Sequence, residues 1–213
     1  MKRAALDAAS RLLLTGVSRS DTPFSHFTVE HVFTPDLALS LLEWLEETDQ
    51  WHLKTAEHFR MFSFFPSEES APLHLRDVFT PSFGAVLRNR LEDLFCTRFD
   101  ERFFIAANKH SQGHGTSIHN DYAALGKQER YFFTHRFLVY LIRDWDVSAG
   151  GSLGLFTSPD STVPYRTIPP LHNTGVGMVM GKKSFHALDP VNAGDRYSLT
   201  ISLVSATGDY EES

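Results

Sequence analysis

The second half of this chain limits most strongly what it can fold into. From about residue 100 it is a series of short segments, RFFIAAN, THRFLVYLIR, GSLGLF, GVGMVM and RYSLTISLV, rich in β-branched and aromatic residues. Gly, Pro, Asp and Asn punctuate them, and no helical period of useful length intervenes. Parallel strands need long crossovers, usually helical, so a parallel βαβ sheet is disfavoured. The expectation is an α+β, mainly β chain: a double-stranded β-helix, that is a cupin-like jelly-roll barrel, with an open mouth where a small ligand can sit.

The first hundred residues read as the helical support of that barrel. Thr34-Pro35-Asp36 combines a capping hydroxyl, a proline at the first helical position and an acid in the first turn. Leu37, Leu41 and Leu45 follow at i+4 spacing. In PSFGAVLRNRLEDLF, Phe83, Leu87, Leu91 and Leu94 share one helical face, and both stripes read as core packing. The opening MKRAALDAASRLLLTG also reads as an amphipathic helix on the domain, its apolar run being too short for a signal or a membrane span. No repeat or linker divides the chain. One domain over residues 1–213 is expected, with helical support over about 1–100 and the jelly-roll core over about 101–205.

Composition narrows the partners. The net charge is −6 and the basic residues form no run beyond Lys182-Lys183, so a nucleic-acid partner is not expected, nor is a membrane. Cys96 is the only cysteine, which rules out an internal disulfide and suits a cytoplasmic location. Eighteen phenylalanines suit an aromatic-rich interior or pocket.

Chemistry gathers at three places. His119-Asn120-Asp121 is a pattern that a chain with eleven histidines produces by chance. On a strand, however, period-two geometry sends both side chains to one side. His186, far downstream, is the best third ligand. Two histidines and a carboxylate make a facial triad with open positions on iron(II), whereas a structural zinc site would call for more sulfur or nitrogen. His26, His31, His52, His58, His74, His135 and His172 read as surface or hydrogen-bonded core residues. In DRYSLTISLV, Arg196, Ser198 and Thr200 alternate onto one face. On an edge strand they would simply meet water; inside a barrel the guanidinium needs an acid. A ligand carboxylate would serve. Arg136, Leu138 and Tyr140 share a face of a neighbouring strand, and Tyr140 offers a phenol to the same ligand.

In this order and spacing HND, VYLIRDWDVSAGGSLGLF and SFHALDPVNAGDRYSLT resemble the Fe(II)- and 2-oxoglutarate-dependent oxygenases, specifically the prolyl 4-hydroxylase-like branch. TPFSHFTVEHVFTPDLA is similar to the entry segment of these enzymes and extends the resemblance over most of residues 22 to 205. The resemblance implies a dioxygenase that uses Fe(2+), 2-oxoglutarate and O2, with ascorbate in support, to hydroxylate an unactivated C–H bond and release succinate and CO2. It implies His119, Asp121 and His186 as iron ligands and Arg196 as partner of the distal 2-oxoglutarate carboxylate. Thr200 and Tyr140 match hydrogen-bonding positions for that carboxylate, and Ser198 is a weaker candidate. The related halogenases lack the acidic ligand, so Asp121 favours hydroxylation over chlorination.

The substrate stays open, because MVMGKKSF and YAALGKQERYFFTH depart from the family pattern. Arg136 is read as a candidate for a substrate carboxylate, the alternative being an exposed strand arginine. His110 and His114 line the entrance or merely form a turn. Three functions follow: hydroxylation of an amino acid, peptide or peptide-derived small molecule; hydroxylation of a protein side chain in the manner of a prolyl hydroxylase; or non-catalytic metal or sugar binding.

Overall fold

The computed structural model describes residues 9–56, 59–122 and 133–206. Among these residues thirteen strands run from β1 (Leu12–Thr15), β2 (Ser18–Ser20), β3 (His26–Val29), β4 (His31–Phe33), β5 (His52–Ala56) and β6 (Phe59–Phe64) to β7 (Phe99–His110) and β8 (His135–Leu141). They continue as β9 (Leu153–Phe156), β10 (Arg166–Ile168), β11 (Gly175–Val179), β12 (Phe185–Leu188) and β13 (Arg196–Ser205). Of the α-helices lying wholly within the described residues, α1 (Pro35–Glu47) and α2 (Pro81–Phe95) precede β7. The strands build an eight-stranded sheet in the order β2-β3-β11-β8-β13-β7-β6-β5, a three-stranded sheet β10-β9-β12 and the pair β1-β4. Among the described residues neighbouring strands pair antiparallel, as in β13 against both β7 and β8. This is the expected mainly β jelly roll, with the barrel left open.

Alternation along the central strands separates two interiors. On β8 and β13 the odd-numbered residues Phe137, Val139, Leu141, Leu199, Ile201 and Leu203 pack with Leu37, Leu41 and Leu45 of α1 and Phe83, Leu87 and Leu91 of α2 in one apolar core. The helices therefore buttress the outer face of the large sheet. The even-numbered Leu138 and Tyr140 face a second core, formed with Leu153, Leu155, Ile168, Val176 and Met178 between the two sheets. Because side chains alternate, that same inner face also carries the polar even positions of β13.

The N-terminal half differs from expectation in two respects. Leu12 to Thr15 is a strand paired with β4, not a helix; of the expected helix, Ala9 and Ser10 are helical and residues 1–8 lie outside the described residues. Six strands precede residue 100 alongside the two helices, and β2, β3, β5 and β6 extend the large sheet on both sides. The leucines of LLLT bury alternately, a period-two pattern too short to distinguish from one helical turn. At the start of α1 the Thr34 hydroxyl makes no capping bond, whereas Thr80 at the start of α2 accepts from the Phe83 N–H.

Candidate active site

His119 and His186 are brought together by the backbone. Each donates its N–H to the other's carbonyl, at 3.0 Å both ways, as an isolated antiparallel bridge. A hydrogen-bonded antiparallel pair directs both side chains to the same side, and the two imidazole centroids lie 4.4 Å apart. The bridge, not a strand over TSIHND, sets the geometry. Asn120 fastens the following turn: its side-chain nitrogen donates to the Lys182 carbonyl and its oxygen accepts from the Tyr122 N–H. Asp121 then stands 3.8 Å from Nε2 of His119 through Oδ1 and 3.8 Å from Nε2 of His186 through Oδ2.

The tautomers of both histidines follow from their neighbours. Nδ1 of His119 lies 2.9 Å from the Ser117 carbonyl, and Nδ1 of His186 lies 2.8 Å from the Ser184 carbonyl. A carbonyl only accepts, so Nδ1–H donates and the Nε2 lone pair faces the other imidazole and Asp121. Such a back-bond is the usual support of a metal-binding histidine. Burial pushes the His186 imidazole down to about 4, which keeps it neutral at ordinary pH. Ligand atoms of His119, Asp121 and His186 all lie within 4.8 Å of one another. Two imidazoles and a carboxylate are a donor set suited to ferrous iron. The lone cysteine, Cys96, is exposed at the end of α2 and contributes nothing here.

The three side chains open into a cavity of about 310 Å³, and Arg196, Ser198, Thr200 and Ser202 of β13 line it. Arg196 is only 4% exposed. Its Nη1 lies 3.5 Å from Nδ1 of His110 and its guanidinium carbon 4.7 Å from the centroid of the Tyr140 ring. Nε has no partner. Burial works against the charge, and only Tyr140 opposes that shift. Burial, reinforced by Arg196, pushes His110 down to about 3, so it accepts as a neutral imidazole. Among the described residues this buried cation has no carboxylate in contact, which is the arrangement a bound dicarboxylate would complete.

The other residues singled out by the sequence fall around this axis. Tyr140 is fully buried beneath Arg196 with its ring face toward the guanidinium, and its hydroxyl has no hydrogen-bond partner among the described residues. Thr200 accepts a 2.8 Å hydrogen bond from Nδ2 of Asn108, a residue that no sequence pattern singles out. His110 sits at the Arg196 end, not the entrance, and His114 stacks on Phe62 outside the cavity. Arg136 pairs with Asp121. The outer wall comes from the β5–β6 hairpin through Lys54, Phe59, Met61 and Ser63. Most of YAALGKQERYFFTH, and His58, lie outside the described residues. His26 and His135 are hydrogen-bonded core residues, as expected.

Comparison with known proteins agrees with this geometry. Residues 105–203 match the family model of the 2OG-Fe(II) oxygenase superfamily. No curated protein matches the chain. Among solved structures, a prolyl-4-hydroxylase from Pseudomonas putida superposes with a TM-score of 0.66 at 17% identity, covering 84% of this chain and 91% of the other. A Trichoplax adhaerens prolyl hydroxylase, solved with a peptide of the hypoxia inducible factor oxygen degradation domain, gives 0.64 at 12% identity, with 95% and 91% covered. The viral collagen prolyl hydroxylase of Paramecium Bursaria Chlorella virus-1, solved with 2OG, gives 0.58 at 11%, with 84% and 94% covered. At such identities these structures speak for the fold. The family match over residues 105–203 and the shared fold support a 2OG-Fe(II) oxygenase. Within that class its fold is prolyl 4-hydroxylase-like, and the family implies Fe(2+), 2-oxoglutarate and O2.

Proposed function

We propose that the protein hydroxylates an unactivated C–H bond of an amino acid, a peptide or a peptide-derived small molecule, releasing succinate and CO2. His119, Asp121 and His186 hold the iron, and Arg196, with Ser198 and Thr200, receives the distal carboxylate of 2-oxoglutarate. The observation that carries this reading is the buried Arg196, which has no carboxylate partner among the described residues, in the same cavity as the two histidines and Asp121. All of residues 1–213 serve as one oxygenase domain, a reading supported by a large sheet that draws strands from β2 to β13.

The iron and its co-substrate supply the oxidative decarboxylation and the oxidising power when bound. The chain supplies position. The Nδ1 back-bonds keep both imidazoles in the metal-binding tautomer, and Arg196 fixes one end of the co-substrate so that the other meets the metal. Leu138, Leu153 and Leu188 line the cavity and keep water from the reacting centre. At about 310 Å³ the cavity is at the small end of ligand pockets. Beside the co-substrate there is room for a slim substrate, a free amino acid or one side chain of a peptide. Hydroxylation of a protein side chain is the second reading, favoured by the peptide complex of the Trichoplax adhaerens enzyme.

The test is incubation with iron(II), 2-oxoglutarate and a library of amino acids and peptides, read as succinate formed and as a mass gain of one oxygen. Substrate-dependent succinate with an oxygenated product is expected. Neither succinate nor 2-oxoglutarate binding would mean a non-catalytic barrel.

A further inference from the structure

Arg136 is the most unusual neighbour of the three proposed ligands. It lies on β8, in register with Met178 of β11 and Ser202 of β13, so strands flank it on both sides. Asp121 lies off the sheet: it follows the His119–His186 bridge by two residues and opens a helical turn. Nη1 of Arg136 donates to Oδ2 of Asp121 across fifteen residues of sequence. Both side chains are largely shielded, with 24% and 17% of their surfaces exposed. A cation beside a proposed dication site is unfavourable on charge alone, because it repels the ion and withdraws charge from the ligand. Its presence is intelligible when its hydrogen bond does something the charge does not.

We propose that Arg136 is a positioning residue for the metal-binding carboxylate: it ties Oδ2 of Asp121 to the rigid centre of the large sheet and thereby sets the orientation in which the carboxylate meets the ion. A carboxylate offers about four lone-pair sites, so the guanidinium bond and coordination are compatible. His119 is fixed through the backbone bridge and Asn120 through the Lys182 carbonyl. Arg136 supplies the corresponding tie for Asp121. Nη1 of Arg136 is taken up by Asp121, while its buried Nε has no hydrogen-bond partner among the described residues, so the tie to Asp121 is a role additional to that of a substrate anchor. The inference rests on the iron-site reading above.

The experiment is titration of the apoprotein with Mn2+ alone, followed by calorimetry and by electron paramagnetic resonance of free Mn2+. Arg136→Leu and Arg136→Gln should bind Mn2+ about tenfold more weakly than the unmodified chain, the order expected for losing a hydrogen bond to a ligand. Arg136→Lys, which keeps a donor, should recover part of the loss, and the visible spectrum of the Co2+ form should shift in Arg136→Leu. Affinity equal to or tighter than that of the unmodified chain in Leu and Gln variants overturns the proposal; tighter binding is what charge repulsion alone predicts. If Arg136→Leu fails to fold, the Gln and Lys variants decide by the same criterion. His186→Ala separates the two levels: unchanged Mn2+ binding there would refute the iron site itself, whatever Arg136 does.

Discussion

The guanidinium of Arg196 lies over the ring of Tyr140, 4.7 Å from its centroid, and both residues are buried. A cation on an aromatic face is partly compensated without a counter-anion, so Arg196 is held in place before a ligand arrives. Truncating one partner of a buried charged pair typically costs about 2–5 kcal/mol. Arg196→Leu should therefore weaken 2-oxoglutarate binding by roughly 30-fold or more, while Mn2+ affinity without co-substrate stays as before. Calorimetric titration of each ligand checks this. A 2-oxoglutarate affinity unchanged in the variant would remove Arg196 from the site.

Glycine 177 on β11 tests how the large sheet meets its buttress. A Cβ there would stand 2.2 Å from the Phe27 ring, which is buried against Phe95 and Phe137. The ring cannot retreat without displacing two others. Gly177→Ala should lower stability by about 1–3 kcal/mol, the usual cost of overpacking, measured as a reduced urea midpoint. A variant as stable as the parent would show that Phe27 has room to move.

Buried histidines make the fold acid-sensitive. Burial lowers His135 to about 4, and burial with Arg196 lowers His110 to about 3, from an ordinary 6.5. Above 6.5 both are neutral in the folded and unfolded chains and cost nothing. Below it the unfolded chain takes up protons that the folded chain refuses, so stability falls as pH drops toward 4. Between neutral pH and about pH 5 the loss is roughly 2 kcal/mol per histidine. Urea unfolding at the two pH values measures it, and His135→Gln should lose less on acidification than the parent. Equal losses would place the proton uptake elsewhere.

The sequence made the site more legible than its frame. The polar alternation Arg196, Ser198, Thr200 became the cavity wall because β13 lies between β7 and β8, where an inward face has no alternative to burial. The stripes of α1 and α2 were readable because each spans more than three turns. The β5 strand was not, since all five of its residues are exposed and it carries no apolar alternation. Lys54 and Met61 of the resulting wall were lost with it. The ties from Asn120 to the Lys182 carbonyl, from Asn108 to Thr200 and from Arg136 to Asp121 join residues 15 to 92 positions apart. No local period encodes such contacts; they follow only from strand order.

The most direct test of the whole account is a crystal structure after anaerobic soaking with Mn2+ and 2-oxoglutarate. The prediction is an anomalous peak bound by Nε2 of His119, Nε2 of His186 and a carboxylate oxygen of Asp121, with the far carboxylate of 2-oxoglutarate on Arg196. An ion held elsewhere, or a co-substrate that leaves Arg196 untouched, would contradict it.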